Sequence, residues 1–333
     1  GSAAGGGAGG TSHAKAWTVS GAVVVAEVGR DVVQVSGTDA ATYLQGQLSQ
    51  DITALAMGES AFSLLLAPQG KVEAYLRVTR TTEDSFLLDV DAGWAEAVVA
   101  RLERFKLRVK CTIEVLDDWL ALAVRTPDPD ERREAVRVWA RGHGLWPVVA
   151  ELPDGGGLDV LGPREALRSA MADGADDPGL GPTVTRLDPS DYEAMRIEGG
   201  VPRMGTELTT STIPAEAGIV DRSASFTKGC YTGQELVARL DARGNKVPRL
   251  LRLAIIEADA PHGSLPDVGS AVLVDNHEVG RLTSVAWSSG RAAGVALAYV
   301  RREVEVPAEA TVVRSDLTGE RWKARVERCT PGD

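Results

Sequence analysis

Cysteine is scarce in this chain: three residues of 333, Cys111, Cys230 and Cys329. An odd, widely spaced set in a long chain offers no disulfide framework, which points to free thiols in a reducing compartment. No two of them stand in CxxC spacing, and the four histidines are scattered. Neither pattern supports a metal or iron–sulfur site closed within one chain, so no resident metal is expected. Long apolar runs are missing too; none approaches the roughly 20 residues of a membrane helix. Nor is there an excess of positive charge: 36 Lys+Arg against 47 Asp+Glu give a formal net charge of −11. That balance disfavours nucleic acid as a partner, since binding there runs on phosphate neutralisation. It leaves room for a local basic pocket that takes one small anion. No P-loop or GxSxG occurs, and no GxGxxG stands between a strand and a helix. The glycine-rich start, 1–15, lacks the apolar core of a signal peptide and reads as a flexible tail. The expected address is cytoplasmic.

What is present is ordinary globular composition, 44% apolar and 25% charged. Residues 17–35 alternate apolar and polar and read as strands. Thr38 is placed to cap a helix whose face is Ala40, Leu44, Leu48 and Ile52. A buried strand over 61–68 ends in the turn Pro68-Gln69-Gly70-Lys71. The strand 72–79 predicts one apolar face (Val72, Ala74, Leu76, Val78) and one polar face (Glu73, Tyr75, Arg77, Thr79), with 85–90 as its hairpin partner. Asp91 is the expected cap of a helix through Trp94, Val98, Leu102 and Phe105, and 109–116 returns to strand. Residues 125–183 are rich in Pro, Gly and Asp, with helical patches near 131–140 and 163–172 and a loop at 173–182. A helix follows with Asp188 as cap, Pro189 in the first position and an end at Gly199-Gly200. After Pro248 come short strands and turns, the pattern of a small barrel or sandwich. The rhythm is α+β rather than a doubly wound parallel sheet.

Three features carry candidate chemistry. The first is KGCYTGQE, residues 228–235. Thr232 and Glu235 fit a capping box, and Leu236, Val237 and Leu240 follow at helical spacing. Cys230 then precedes a helix start, where the helix's positive end and the Lys228 charge would both favour a thiolate. The competing reading is a small residue filling a tight corner. The second is Glu198, an acid in the last turn of a helix, where it opposes the macrodipole by about 0.3–1 kcal/mol. Such a carboxylate can accept two hydrogen bonds from an amidine-like edge, as in a pterin; an ion pair with Arg196 or Arg203 would serve equally. The third is Arg239, Arg243 and Lys246, with Arg249 just beyond; Arg239 and Arg243 are four apart on one helix face. They suit ligand carboxylates, or a solvated face with Glu235 paired to Arg239.

Three blocks, taken in order, resemble a known family. They are GTDA (37–40) running into LQGQLSQD (44–51), RIEGGVP (196–202) through IPAEAG (213–218), and KGCYTGQE with Ala238-Arg239. Together they are similar to the YgfZ-type folate-binding proteins, relatives of the glycine-cleavage T-protein (aminomethyltransferase). The resemblance implies a three-lobed cloverleaf: two α+β lobes with antiparallel sheets, interleaved over 16–245, and a C-terminal β-barrel over 246–330, around a central channel. It implies tetrahydrofolate or a derivative as bound ligand, with Glu198 on the pterin edge and Tyr231, Gln234 and Arg239 among the folate contacts. Cys230, with Lys228 beside it, falls on the cysteine that marks the type. The implied role is accessory to iron–sulfur cluster assembly or repair, with iron–sulfur enzymes or cluster-assembly proteins as partners. The alternatives are a tetrahydrofolate-dependent aminomethyl or methyl transferase, and a folate-sensing module without chemistry. T-proteins carry an Asp-Asp pair in the strand after the glycine turn. Here those positions are Ala74 and Tyr75, which removes the carboxylate that would assist the folate nitrogen.

Overall fold

The computed structural model describes residues 23–126, 130–152, 157–173, 184–242, 244, 246–257, 265–314 and 319–329. The expected tail over 1–15, the start of the 17–35 stretch, nearly all of the 173–182 loop and Arg243 lie outside them.

The strands are β1 (Val23–Val28), β2 (Arg30–Ser36), β3 (Ser60–Leu66), β4 (Val72–Thr82), β5 (Ser85–Asp91), β6 (Thr112–Leu116), β7 (Trp119–Arg125), β8 (Trp146–Val148), β9 (Leu158–Pro163) and β10 (Val184–Arg186). Six more follow: β11 (Arg249–Ile256), β12 (Ala271–Val274), β13 (His277–Ser288), β14 (Ala293–Arg301), β15 (Ala308–Val313) and β16 (Arg321–Arg328). The helices are α1 (Ala40–Gln47), α2 (Ala95–Phe105), α3 (Asp130–Gly142), α4 (Arg164–Asp173), α5 (Pro189–Glu198), the short α6 (Val220–Ser223) and α7 (Gln234–Ala242).

These form an α+β fold of two sheets and a barrel. One sheet has the order β3-β4-β5-β2-β6, every neighbour antiparallel. The other has the order β10-β1-β7-β9-β8, antiparallel except for β1 with β10. The chain passes between them at Gly29, so the two strands read from 17–35 serve different sheets. The third unit is a closed antiparallel barrel, β11-β14-β13-β12-β15-β16. Its interior is filled by small and branched residues such as Ala254, Val272, Leu282, Ala296 and Ala298. On the outside, Leu251, Leu253, Val295 and Leu297 pack against Ala194 and Ile197 of α5. Among the described residues no helix is long and apolar enough to cross a membrane.

Two expected caps are corrected. Asp39, not Thr38, stands at the start of α1, with no side-chain cap bond, and its carboxylate accepts the Lys110 N–H at 2.8 Å instead. Nor does Asp91 cap α2. Asp31 reaches over from β2, its Oδ2 accepting the N–H groups of Gly93, Trp94 and Ala95 at 2.8, 2.9 and 2.9 Å. A helix start needs any carboxylate within reach of its first free N–H groups. Asp91 is occupied, accepting from Arg30 at 2.7 Å and the Met204 N–H at 2.8 Å.

The largest departure concerns β4. Its apolar face enters the main core as expected, but the polar face is also buried: Tyr75, Arg77 and Thr79 are 4%, 1% and 1% exposed. The second sheet covers it. Arg77 donates through Nε to both oxygens of Asp89 at 2.6 and 2.8 Å, and through Nη1 to Asp159 of β9. Asp159 also accepts from Arg125 of β7 at 2.7 Å. Arg30 of β2 reaches Asp91 and, at 3.4 Å, Glu151, which accepts the Tyr192 hydroxyl of α5. Burial by itself would raise the Asp159 carboxyl; Arg125 and Arg77 outweigh it and hold it below the usual carboxylate range.

Replacing Arg77 with Met leaves Asp89 and Asp159 short of their partner inside the protein. The expected loss is about 3–5 kcal/mol of unfolding free energy at neutral pH, measured by urea titration. A depressed carboxyl contributes stability above its unfolded value, about 3.9, that is lost as pH falls through the folded value. Acid lability of the wild type below about pH 4 should therefore be shallower in Arg77→Met. A loss under about 1 kcal/mol would mean that the network is solvated in solution.

Candidate functional site

The first and third sequence blocks meet in space. Lys228, 9% exposed, inserts its ammonium into the turn after α1 and donates to the carbonyls of Gln45, Leu48 and Gln50 at 2.6, 2.7 and 2.9 Å. Ser49 in the same turn donates to the Ser223 carbonyl at 2.6 Å and accepts the Leu64 N–H at 2.8 Å. Its own carbonyl accepts the Ser225 N–H at 3.0 Å. Next along the loop, Thr232 N–H approaches the Gly46 carbonyl at 3.4 Å. Gly233 has φ +83°, and a Cβ there would fall 2.7 Å from both the Ala67 carbonyl and the Leu66 side chain. Only glycine permits that approach. Gly70, in the β3–β4 turn, is likewise pressed against Leu236 of α7.

Lys228, read from the sequence as a charge near the thiol, also anchors the loop. All three donors of its ammonium are taken by carbonyls at the C-terminal side of α1, where a cation complements the helix dipole. Burial pushes the ammonium down to about 8, against the opposing pull of Asp51, so it still carries its charge at neutral pH. Tyr231 is buried in the main core with the Lys228 ammonium 5.3 Å from its ring centre. Burial also pushes its phenol up to about 12. The capping box does not form: α7 begins at Gln234, and Glu235 pairs with Arg239 on the exposed face. Arg239 therefore follows the bland reading, and Gln234 stands half-buried at the helix start.

Between the buried Lys228 and the buried Tyr231 the chain turns outward. Gly229 and Cys230 are exposed. Cys230 is the only exposed thiol among the three cysteines; Cys111 and Cys329 are half-buried. Cys111 packs on the main core, and burial pushes its thiol up. Cys329, expected at a frayed end, lies instead against Gly200, whose Cβ would fall 2.4 Å from that of Cys329. Among the described residues no group of three or more His, Cys, Asp or Glu is placed to hold a metal ion.

Glu198 lies apart from this loop, at the end of α5 beside the barrel. Neither expected arginine pairs with it: Arg196 and Arg203 both turn to Glu193, and Arg196 also to Glu207. The β13–β14 turn supplies its partners. Ser288 donates to Oε1, and Arg291 Nε donates to Oε2 at 2.8 Å. The Glu198 side chain is 7% exposed and that of Arg291 26%. Nothing in the local sequence around Glu198 signals a barrel turn 90 residues on. Glu73 of β4, next to the positions where T-proteins carry paired acids, is tied to Arg101 of α2.

Comparisons with known proteins agree with this architecture. Residues 11–132 match the GCVT N-terminal domain, and residues 252–331 the glycine cleavage T-protein C-terminal barrel domain. The chain is 28% identical over 257 residues, 73% of its length, to a protein of Mycosarcoma maydis named "Iron-sulfur cluster assembly factor IBA57 homolog, mitochondrial", and the match spans only 60% of that relative. It is 29% identical over 249 residues to the "tRNA-modifying protein YgfZ" of Edwardsiella ictaluri, covering 70% of this chain and 71% of the relative. The fold is that of the glycine cleavage system aminomethyltransferase T of Bartonella henselae, with TM-score 0.73 and 20% identity over 94% of this chain and 87% of that one.

Replacing Lys228 with Met removes three hydrogen bonds made by a charged donor. The expected cost is about 1.5–3 kcal/mol or more in urea unfolding, of the size assigned to bonds with charged groups. A change below about 0.5 kcal/mol would mean that Lys228 does not anchor the loop.

Proposed function

Because the chain belongs to the glycine-cleavage T-protein family and carries the family's N-terminal and barrel domains, we propose that it is a folate-binding accessory protein of iron–sulfur cluster assembly or repair. The observation that carries the reading is the presentation of Cys230: one exposed thiol on a loop fixed on both sides by Lys228 and Tyr231. A thiol held for packing would sit among apolar neighbours, and one serving an enclosed reaction would sit in a cleft. This one is offered outward on a rigid base, which suits brief contact with a partner's cargo. One cysteine supplies at most one ligand to a cluster, so the cargo is shared with a partner during the exchange. The name of the Mycosarcoma relative supports the cluster-related part.

Reduced folate is proposed at Glu198. A carboxylate that already accepts from a guanidinium N–H and a hydroxyl has the acceptor pattern that a pterin's ring N–H and amino group require. The fit needs Arg291 to yield its place, and Arg291 sits partly exposed on a hairpin turn. Bound there, the folate would supply a one-carbon carrier, while Glu198 orients its ring and Ser288 retains the second carboxylate oxygen. Aminomethyl transfer is the weaker reading, because Ala74 and Tyr75 are buried without a carboxylate and Glu73 is neutralised by Arg101.

Two outcomes test the proposal. Cys230→Ser should abolish complementation of a strain lacking its own homologue, scored by activity of a cluster-dependent enzyme, and leave tetrahydrofolate affinity unchanged; full complementation by the mutant rejects the thiol. Glu198→Ala should weaken tetrahydrofolate binding by about 1.5–3 kcal/mol in calorimetry, the range for bonds to a charged group. Unaltered affinity removes Glu198 from the site.

A further inference from the structure

A cleft of about 870 Å³ opens between the two sheets, with neither Cys230 nor Glu198 among its lining residues. Its floor is apolar, made by Phe62 of β3 with Val148 and Leu158 of the second sheet. Its rim is basic. Arg133, Arg137 and Arg141 line it from α3, and Arg222 lies across the Phe62 ring with its guanidinium carbon 4.0 Å from the ring centre. Arg222 is fixed there by the carbonyls of Glu151 and Ala150 at 2.9 and 3.3 Å. The three α3 arginines stand four residues apart and so follow one helix face, each about 6 Å from the next along the axis. Among the described residues neither Arg137 nor Arg141 has a carboxylate partner. Among the described lining residues the one acid, Glu59, turns back to accept the Ala56 N–H at 2.9 Å. Arg137 and Arg141 thus leave local positive charge at the rim in a chain of net charge −11.

Arginines left without carboxylates around an apolar floor are poised for an anion with a flat, apolar body. Guanidinium forks bind phosphate bidentately, and successive forks one turn apart suit linked phosphates better than a single charge. The volume is that of a small-molecule site rather than a groove for a folded partner. We propose that this cleft is a second binding site, for a nucleotide-sized ligand carrying linked phosphates, its flat ring on the outer face of the Arg222 guanidinium and its phosphates on Arg137 and Arg141. The site is independent of the folate reading.

The test is calorimetric titration of the full chain with ADP, AMP and citrate at low ionic strength, in wild type, Arg137→Gln, Arg141→Gln and the double variant. Saturable one-to-one binding of ADP is expected, at least tenfold tighter than AMP or citrate, and weakened tenfold or more in the double variant. Arg141 is exposed and Arg137 half-buried, and neither has a carboxylate partner among the described residues, so the thermal midpoint should move little. No saturable ADP binding by wild type overturns the proposal. So does equal binding by the double variant, citrate bound as tightly as ADP, or a single-stranded RNA oligomer bound where ADP is not.

Discussion

The interaction on which the architecture depends is the buried fork of Arg77 on Asp89 and Asp159. Asp89 belongs to the same sheet as Arg77, whereas Asp159 belongs to the other. The guanidinium therefore fixes not just the packing of the sheets but their register. A slip of β9 by one residue would turn Asp159 to the opposite face and strand both arginines that it serves. The planar fork with its five donors adds a directional demand to the one the apolar pattern makes. Buried ion pairs are weak evidence for net stability, and here their effect is better understood as orientation. From this network the constraint passes outward. Glu151 holds Tyr192 of α5, α5 packs on the barrel, and the end of α5 delivers Glu198 to the β13–β14 turn. The lobe–barrel junction has its own buried counterpart in Glu207, which accepts from Ser284 of β13, from Arg196 and from the Arg203 N–H.

The loop of Cys230 is fixed by a different means. Its lysine meets backbone carbonyls rather than carboxylates, and its glycine meets backbone and side chain at distances no Cβ survives. Carbonyl acceptors do not titrate, so the anchor holds its geometry across any pH at which the lysine stays charged. The structure thus separates two tasks: titratable acids orient the large elements, and neutral backbone groups hold the loop that carries the thiol.

Much of this was legible in the residues, and the misses have a common cause. Some local signals worked: Pro189 after Asp188 opened α5, Gly199-Gly200 closed it, and alternating short strands after Pro248 gave a barrel, whereas the Thr38 cap and the capping box of Thr232 and Glu235 did not form. The three blocks also announced the family. Long-range signals did not. Asp31 caps a helix 62 residues away, and β7, β8 and β9 are short and lie in or beside a stretch rich in turn formers. The polar face of β4 looked solvent-facing because alternation reports which side chains are polar and not what covers them. Only the second sheet, invisible to a local window, converts that face into an ion network. The arginine stripe of α3 was readable as a four-residue spacing, but its meaning required the apolar wall opposite.

That same limit explains why the ion pair weighed for Glu198 as the competing reading, with Arg196 or Arg203, does not form. Both arginines were the nearest cations in the sequence. Arg196 and Arg203 were unavailable because both are drawn to Glu193, a pairing within one turn of α5 for Arg196. With local cations consumed, the acid had to be satisfied from the barrel, through a hydroxyl and a guanidinium on a two-strand turn. A partner recruited from a separate unit is easier to exchange than one on the same helix, since moving it disturbs no helical hydrogen bond. The consumption of local arginines by Glu193 is therefore the step that leaves Glu198 to a partner from a separate unit.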